Sequence, residues 1–252
     1  MSFKKEIYGT KSIVSIHDGY ILKVANRKKV AASELNNEIS ILKQLRDTGF
    51  TLCGEILDYE ESHYIKMTRI QGQPLSELIL NSFNLRNPKK RSPLAHSLGS
   101  TLTEFYSSGI HHNDLATTNI IFEQQTGLVY LIDFGRASID GSVSGDLGYL
   151  LDSIVKIRCR GGLIINVILL TAKCRLFIEV FRCFSESKGW AKQNKPLGFC
   201  SVLLSFIQFQ IFILSKRKFS ILHKLMLVPI IFIVPTICIL LRYYHHYFSR
   251  GL

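Results

Sequence analysis

The 252-residue chain lacks several features that usually classify a protein quickly. Its six cysteines, Cys53, Cys159, Cys174, Cys183, Cys200 and Cys238, include no CxxC pair. A chain of this length and apolar content needs no disulfide framework, so free thiols in a reducing compartment are expected. Residues 1–8 are charged and hold no apolar stretch, so no signal peptide is read there. There is no internal repeat and no low-complexity tract. Acid is scarce in one half only. Residues 1–155 hold 16 Lys+Arg against 17 Asp+Glu, whereas residues 156–252 hold 15 against 2, and the whole carries +12. The basic half is also the more apolar one. Basic residues set among long aliphatic runs fit an anionic membrane surface better than nucleic acid, whose binding tails are polar throughout.

What is present reads first as strands with one helix. "SIVSIHDGYILKV" sets Asp18 and Gly19 between two β-rich runs, a hairpin signal. Strand alternation puts Lys23 on the opposite face from Leu22 and Val24. "SELNNEISILKQLRDTGF" predicts a helix capped by Ser33, stopped by Gly49, with Leu35, Ile39, Leu42 and Leu45 on one face. Glu34 and Glu38 lie one turn apart on that helix. "TLCGEILDYEESHYIKMTRIQGQPLSEL" predicts two strands, a turn and the start of a helix, with "IQGQPLSEL" crossing between lobes. "NLRNPKKRSP" is expected to be a loop. Ser92 and Pro93 then open a second helix that buries Leu94, Leu98, Leu102 and Phe105 and ends at Gly109.

The chemistry concentrates in "HHNDLATTNIIFEQQTGLVYLIDFG", residues 111–135. Buried carboxylates are costly without a counter-charge, and this apolar stretch offers few cations. "NIIFEQQTGLVYLID" predicts a hairpin, which brings Asn119 and Asp133 together as oxygen donors suited to Mg²⁺ and phosphate. Asp114 is then placed to take a proton from an acceptor hydroxyl. Adjacent histidines, His111 with His112 and His245 with His246, point in different directions and do not suggest a transition-metal site.

"HNDLATTN" followed by "DFG" resembles the catalytic and metal-binding loops of the protein-kinase-like superfamily. The resemblance covers about residues 7–155. It implies a two-lobed α+β fold: a small antiparallel sheet plus one helix in residues 1–70, a larger mainly helical lobe in 71–197, and an apolar, basic extension in 198–252. It implies ATP and Mg²⁺ as cofactors. His112 would be structural, Asp114 the catalytic base, and Asn119 and Asp133 the magnesium ligands. Lys23 would hold phosphates and pair with Glu38, or with Glu34 one turn earlier. Met67 to Ile70 would line the adenine through backbone groups. Asp146 stands where the family places an aspartate that braces the catalytic loop, although an ordinary N-cap is an equal explanation.

Three departures narrow the branch. No GxGxxG lies near the N-terminus, only Gly9 in "IYGTKS". Ala116 replaces the lysine that many protein kinases place two residues after the catalytic Asp to contact the transferred phosphate. Ten residues separate Gly135 from Asp146, too few for a long activation loop with an A-P-E segment. Small atypical branches fit, most closely the bacterial lipopolysaccharide core kinases that phosphorylate heptose or Kdo sugars. The atypical kinase of the tRNA-modification complex is also similar. The expected function is an ATP-dependent kinase of a membrane glycolipid, against an atypical serine/threonine protein kinase or a membrane-tethered pseudokinase.

The tail bears on the acceptor. Residues 225–241 run 17 positions without a charge, and residues 198–215 are similarly apolar. One span near 225–241, or two segments lying in the interface, is expected; core helices of the large lobe are the alternative. Contact with an anionic surface through 198–252 would place the site on the cytoplasmic face of the inner (plasma) membrane, beside lipid-linked acceptors.

Overall fold

The computed structural model describes residues 3–8, 12–26, 29–80, 85–157 and 163–186. The expected membrane tail, Gly9, and the pair His245 with His246 lie outside those residues. The chain divides into two compact units, residues 1–75 with 100–143, and residues 76–99 with 144 onward.

The first unit holds a five-stranded antiparallel sheet in the order β1-β2-β3-β5-β4. Its strands are β1 (Phe3–Tyr8), β2 (Ser12–His17), β3 (Tyr20–Ala25), β4 (Ile56–Glu60) and β5 (Tyr64–Thr68). The predicted hairpin joins β2 to β3 through Gly19, whose φ of +85° suits a residue without Cβ. In register, Lys23 stands opposite Val14 on one side and Ile65 on the other, at the middle of the sheet.

Helix α1 (Lys29–Asp47) begins four residues before the expected cap, so Ser33 lies inside it. Ala31 and Ala32 explain the difference: alanine is the best helix former, and Ala31 is itself buried. The predicted apolar face is buried throughout, at Leu35, Ile39, Leu42 and Leu45. Gly49 ends the helix at φ +82°, donating its N–H to the Arg46 carbonyl.

A second sheet in the same unit is built from β6 (Gln73–Pro74), β7 (Ile120–Glu123) and β8 (Leu128–Leu131). The "IQGQP" stretch is therefore more than a crossing segment: Gln73 and Pro74 pair with Phe122 and Ile121 of the predicted hairpin. Gly72 makes this docking feasible. Its φ is +138°, and a Cβ there would come within 2.5 Å of the Phe122 carbonyl oxygen. Pro74 can join because β6 is an edge strand.

The remaining helices are α2 (Leu75–Leu80), α3 (Pro88–Ser107), α4 (Val143–Lys156) and α5 (Leu163–Ser185). α3 starts at Pro88, not at Ser92 and Pro93, so part of the expected loop is helical. Asn87 caps it, its Oδ1 accepting the Lys89 N–H at 3.0 Å, and proline is well suited to the first helical position. Within the second unit α3 packs closely on α5: a Cβ on Gly99 would sit 2.7 Å from Cys183 Cβ. Buried Arg91 donates two hydrogen bonds to Glu179 Oε1, at 2.7 and 2.9 Å, and a third to the Leu85 carbonyl. Among the described residues no helix is long and apolar enough to cross a membrane. Cys53, Cys174 and Cys183 are free thiols, and burial pushes Cys53 up to about 12.

Candidate active site

Lys23, the side chains of α1 and residues 105–141 all belong to the first unit. Lys23 Nζ lies 2.7 Å from Glu38 Oε2 and 2.7 Å from Asp133 Oδ1. β3 presents the lysine, α1 presents Glu38, and the end of the β7–β8 hairpin presents Asp133. Glu38 is 2 % exposed and Asp133 48 % exposed, so the lysine joins a buried acid to an open one. Burial alone would lower the Lys23 pKa. The two carboxylates outweigh it and hold the ammonium well above its ordinary range. Burial raises Glu38, and Lys23 offsets only part of that. Burial would raise Asp133 too, but there the charge of Lys23 prevails and holds the carboxyl below its usual range. The two acids are thus pushed in opposite directions, Glu38 up and Asp133 down.

The catalytic loop is anchored by His112, which is fully buried. Its Nε2 shares a hydrogen bond with the Ile132 carbonyl at 3.1 Å, and its ring lies 5.1 Å from that of Phe134. Phe105 completes a cluster with both rings. The backbone carbonyl of Asp114 accepts from the Ala116 N–H at 2.7 Å and from Asn119 Nδ2 at 2.9 Å. The short 3₁₀ turn Thr117–Asn119 follows, and the Ile132 N–H donates to the Asn119 carbonyl at 3.0 Å. That bond sets Asn119 beside the residue preceding Asp133, although the two are far apart in sequence. Asn113 and Asp133 both adopt left-handed backbone, at φ +56° and +64°. Such conformations cost about 1–3 kcal/mol and persist where surrounding structure enforces them.

Two sets of contacts do the enforcing. Asn37 on α1 donates its Nδ2 to the carbonyls of Gly135 (3.1 Å) and Ala137 (2.8 Å). His111 and Ser138 exchange backbone hydrogen bonds of 2.8 and 2.9 Å, and Asn113 Nδ2 reaches Ser138 Oγ and the Arg136 carbonyl. The chain then passes so close over the loop that a Cβ on Gly141 would collide with His111 and Asn113.

The donor set fits Mg²⁺. The Asn119 amide nitrogen is engaged by the Asp114 carbonyl, which orients its oxygen; that oxygen accepts only a long 3.4 Å hydrogen bond from Thr118 Oγ1 and has a lone pair for a cation. Asp133, ionised and half exposed, offers the second hard oxygen. Among the described residues no three His, Cys, Asp or Glu side chains are grouped to hold a metal by themselves. The protein would give a partial shell that phosphate oxygens complete. Met67 pairs with Ile21 in register, on the same sheet face as Lys23, and half-buried Ile70 follows β5. Glu34, the alternative partner for Lys23, instead faces Arg136 at 3.8 Å. Asp146 is buried in the first turn of α4, in the second unit.

Sequence reasoning missed Asn37, Arg136 and Ser138. Asn37 had a signal: two asparagines in mid-helix are weak helix formers that call for a reason. Ser138 had none, because its role depends on the chain folding back over residue 111.

A small antiparallel sheet whose lysine meets a helix glutamate, beside a latched His-Asn-Asp loop and an Asp-Phe-Gly turn, defines a kinase-like protein. The chain belongs to the protein kinase domain family, whose model matches residues 11–145. It is 25% identical over 188 residues to the serine/threonine-protein kinase cds1 of Schizosaccharomyces pombe, covering 67% of this chain and 40% of that protein. It is 28% identical over 106 residues to the KEOPS complex subunit Bud32 of Pyrococcus abyssi, covering 42% of this chain and 46% of that one. The chain thus spans less than half the length of these curated relatives. Among solved structures it resembles the ADP-bound aminoglycoside phosphotransferase APH(2'')-Ib, with TM-score 0.56, 14% identity, and 86% and 87% of the two chains covered. A ternary complex of APH(2")-IIa with streptomycin and ATP gives 0.57 at 13% identity, covering 82% and 84%. At such identities the likeness establishes the fold.

Proposed function

We propose that this chain is a kinase that transfers the terminal phosphoryl group of ATP to a sugar hydroxyl of a membrane-anchored glycolipid, of the lipopolysaccharide-core type. The observation that carries this reading is the short segment 136–142, bonded to the catalytic loop through His111 and Ser138. It leaves little chain to align a peptide, and a bulky glycan needs a site without such a platform. A solved neighbour on this fold, APH(2")-IIa, holds streptomycin together with ATP, which supports a sugar-like acceptor.

In this reading Asp114 takes the proton from the acceptor hydroxyl. Lys23, kept charged by Glu38, holds phosphate oxygens. Asn119 and Asp133 would hold Mg²⁺, which neutralises charge on the phosphates when bound. Met67 and Ile70 line the adenine. The basic, apolar residues 198–252 bind an anionic bilayer, setting the enzyme on the cytoplasmic face of the inner membrane.

A second reading, an atypical serine/threonine protein kinase, is favoured by the curated relatives, which are protein kinases at 25% and 29% identity. It keeps the same residues and changes the acceptor. Labelled ATP and Mg²⁺, with either glycolipid vesicles or a generic protein acceptor, separate the two. Label on glycolipid is expected; label on protein alone would replace the first reading with the second. Asp114→Asn should lose transfer by about 10²–10⁴-fold while still binding nucleotide. Undiminished transfer would remove the base assignment.

A further inference from the structure

Ala116 leaves the catalytic loop without a cation, and residues 113–119 contain no other Lys or Arg. Lys23, paired with Glu38 and Asp133, already has the phosphates of the bound nucleotide to hold. Among the described residues a candidate lies nearby. Arg136 is the only Lys or Arg between residues 92 and 155, and it directly follows the Asp-Phe-Gly turn.

Its placement is specific. Arg136 Nη1 lies 3.5 Å from Asp114 Oδ2, and its Nε lies 3.8 Å from Glu34 Oε1. Both are ion pairs longer than an ordinary hydrogen bond. The side chain is 51 % exposed. Its backbone, by contrast, is held on several sides: its carbonyl accepts from Asn113, the flanking carbonyls accept from Asn37, and residues 134–136 form a 3₁₀ turn. A fixed main chain thus carries an open guanidinium beside the proposed base.

We infer that Arg136 supplies the positive charge that position 116 lacks, by contacting the phosphoryl group in flight. In the transfer, the acceptor oxygen bonds to the terminal phosphorus as the bond from that phosphorus to the bridging oxygen breaks. The hydroxyl proton passes to Asp114, and ADP leaves with the electron pair. Negative charge is then spread over three equatorial oxygens, which the planar fork of guanidinium N–H donors matches better than a point charge does. Glu34 gives the side chain a second anchor, so that it stays over the loop when no phosphate is bound. The inference rests on the phosphotransferase reading but not on which acceptor is used.

The test uses the full chain with ADP and Mg²⁺, with and without aluminium fluoride, a mimic of the transferring group. Aluminium fluoride should tighten ADP binding to the parent. Arg136→Ala should keep affinity for ADP alone within about threefold yet lose about 100-fold of that gain. Adding Ala116→Lys to the same chain should recover at least about tenfold, because it returns a cation from the other side. A purely structural arginine would not be rescued in this way. The inference is overturned if Arg136→Ala keeps the gain, if Ala116→Lys recovers nothing, or if the parent shows no gain. Failure of the parent to bind ADP at all would sink the phosphotransferase reading, and this inference with it.

Discussion

Lys23 shows how much one residue can hold in balance. It neutralises a buried glutamate and an open aspartate at once, and its removal strands the buried one. A carboxyl whose pKa is raised in the folded state holds its proton more tightly when folded. It therefore supports the fold at low pH and weakens it as pH rises through the raised value. Lys23→Met is expected to lose about 3 kcal/mol near pH 8 and much less near pH 5, read from denaturant midpoints at both. An equal loss at both pH values would mean that Glu38 does not depend on Lys23. Asp133 runs the other way: its depressed pKa favours the fold above the ordinary carboxylate range, and that contribution fades as pH falls through the lowered value. At this scale the sequence was informative. Strand alternation set Lys23 on the face opposite Leu22 and Val24, the kinase resemblance gave it its role, and hairpin reasoning joined Asn119 to the neighbourhood of Asp133. The choice of Glu38 over Glu34 was not settled by sequence, since the two sit one turn apart on α1. Packing decided it: Glu38 is buried toward β3, and Glu34 faces Arg136.

Elements were legible in kind and less so at their ends. Among the described residues each predicted hairpin and helix exists, yet α1 and α3 both begin about a turn early. In α3 the decisive pair was Asn87 and Pro88, a side-chain cap followed by a preset φ, while Pro93 sits inside the helix. The two-residue β6 was hidden because its partner is β7, where Pro74 pairs with Ile121, far beyond the reach of a hairpin turn. The contact between α3 and α5 offers a direct check. Gly99→Ala should destabilise the protein by about 1–3 kcal/mol, since its Cβ meets Cys183 and backbone atoms of α5. Glu179→Ala should remove about 3 kcal/mol by leaving Arg91 buried without its acid. Thermal unfolding of both variants measures this, and an unchanged midpoint would show that the helices tolerate separation there.

For the whole molecule, charge asymmetry is the largest feature of the sequence, and most of the basic residues that make it lie beyond those described. Neutralising Lys216, Arg217 and Lys218 to glutamine should lower binding to anionic vesicles by about 3 kcal/mol, near 1 kcal/mol for each charge, and leave nucleotide affinity alone. Equal flotation of parent and variant with such vesicles would detach the tail from the proposed acceptor. The hydrogen bonds between His111 and Ser138 have a different reach. Because the strip after the metal turn is already fastened, there is no slack stretch for another kinase to rearrange. For the kinase proposed here, the ordering of residues 136–142 would not be the step that starts transfer, because those residues are bound in place beforehand.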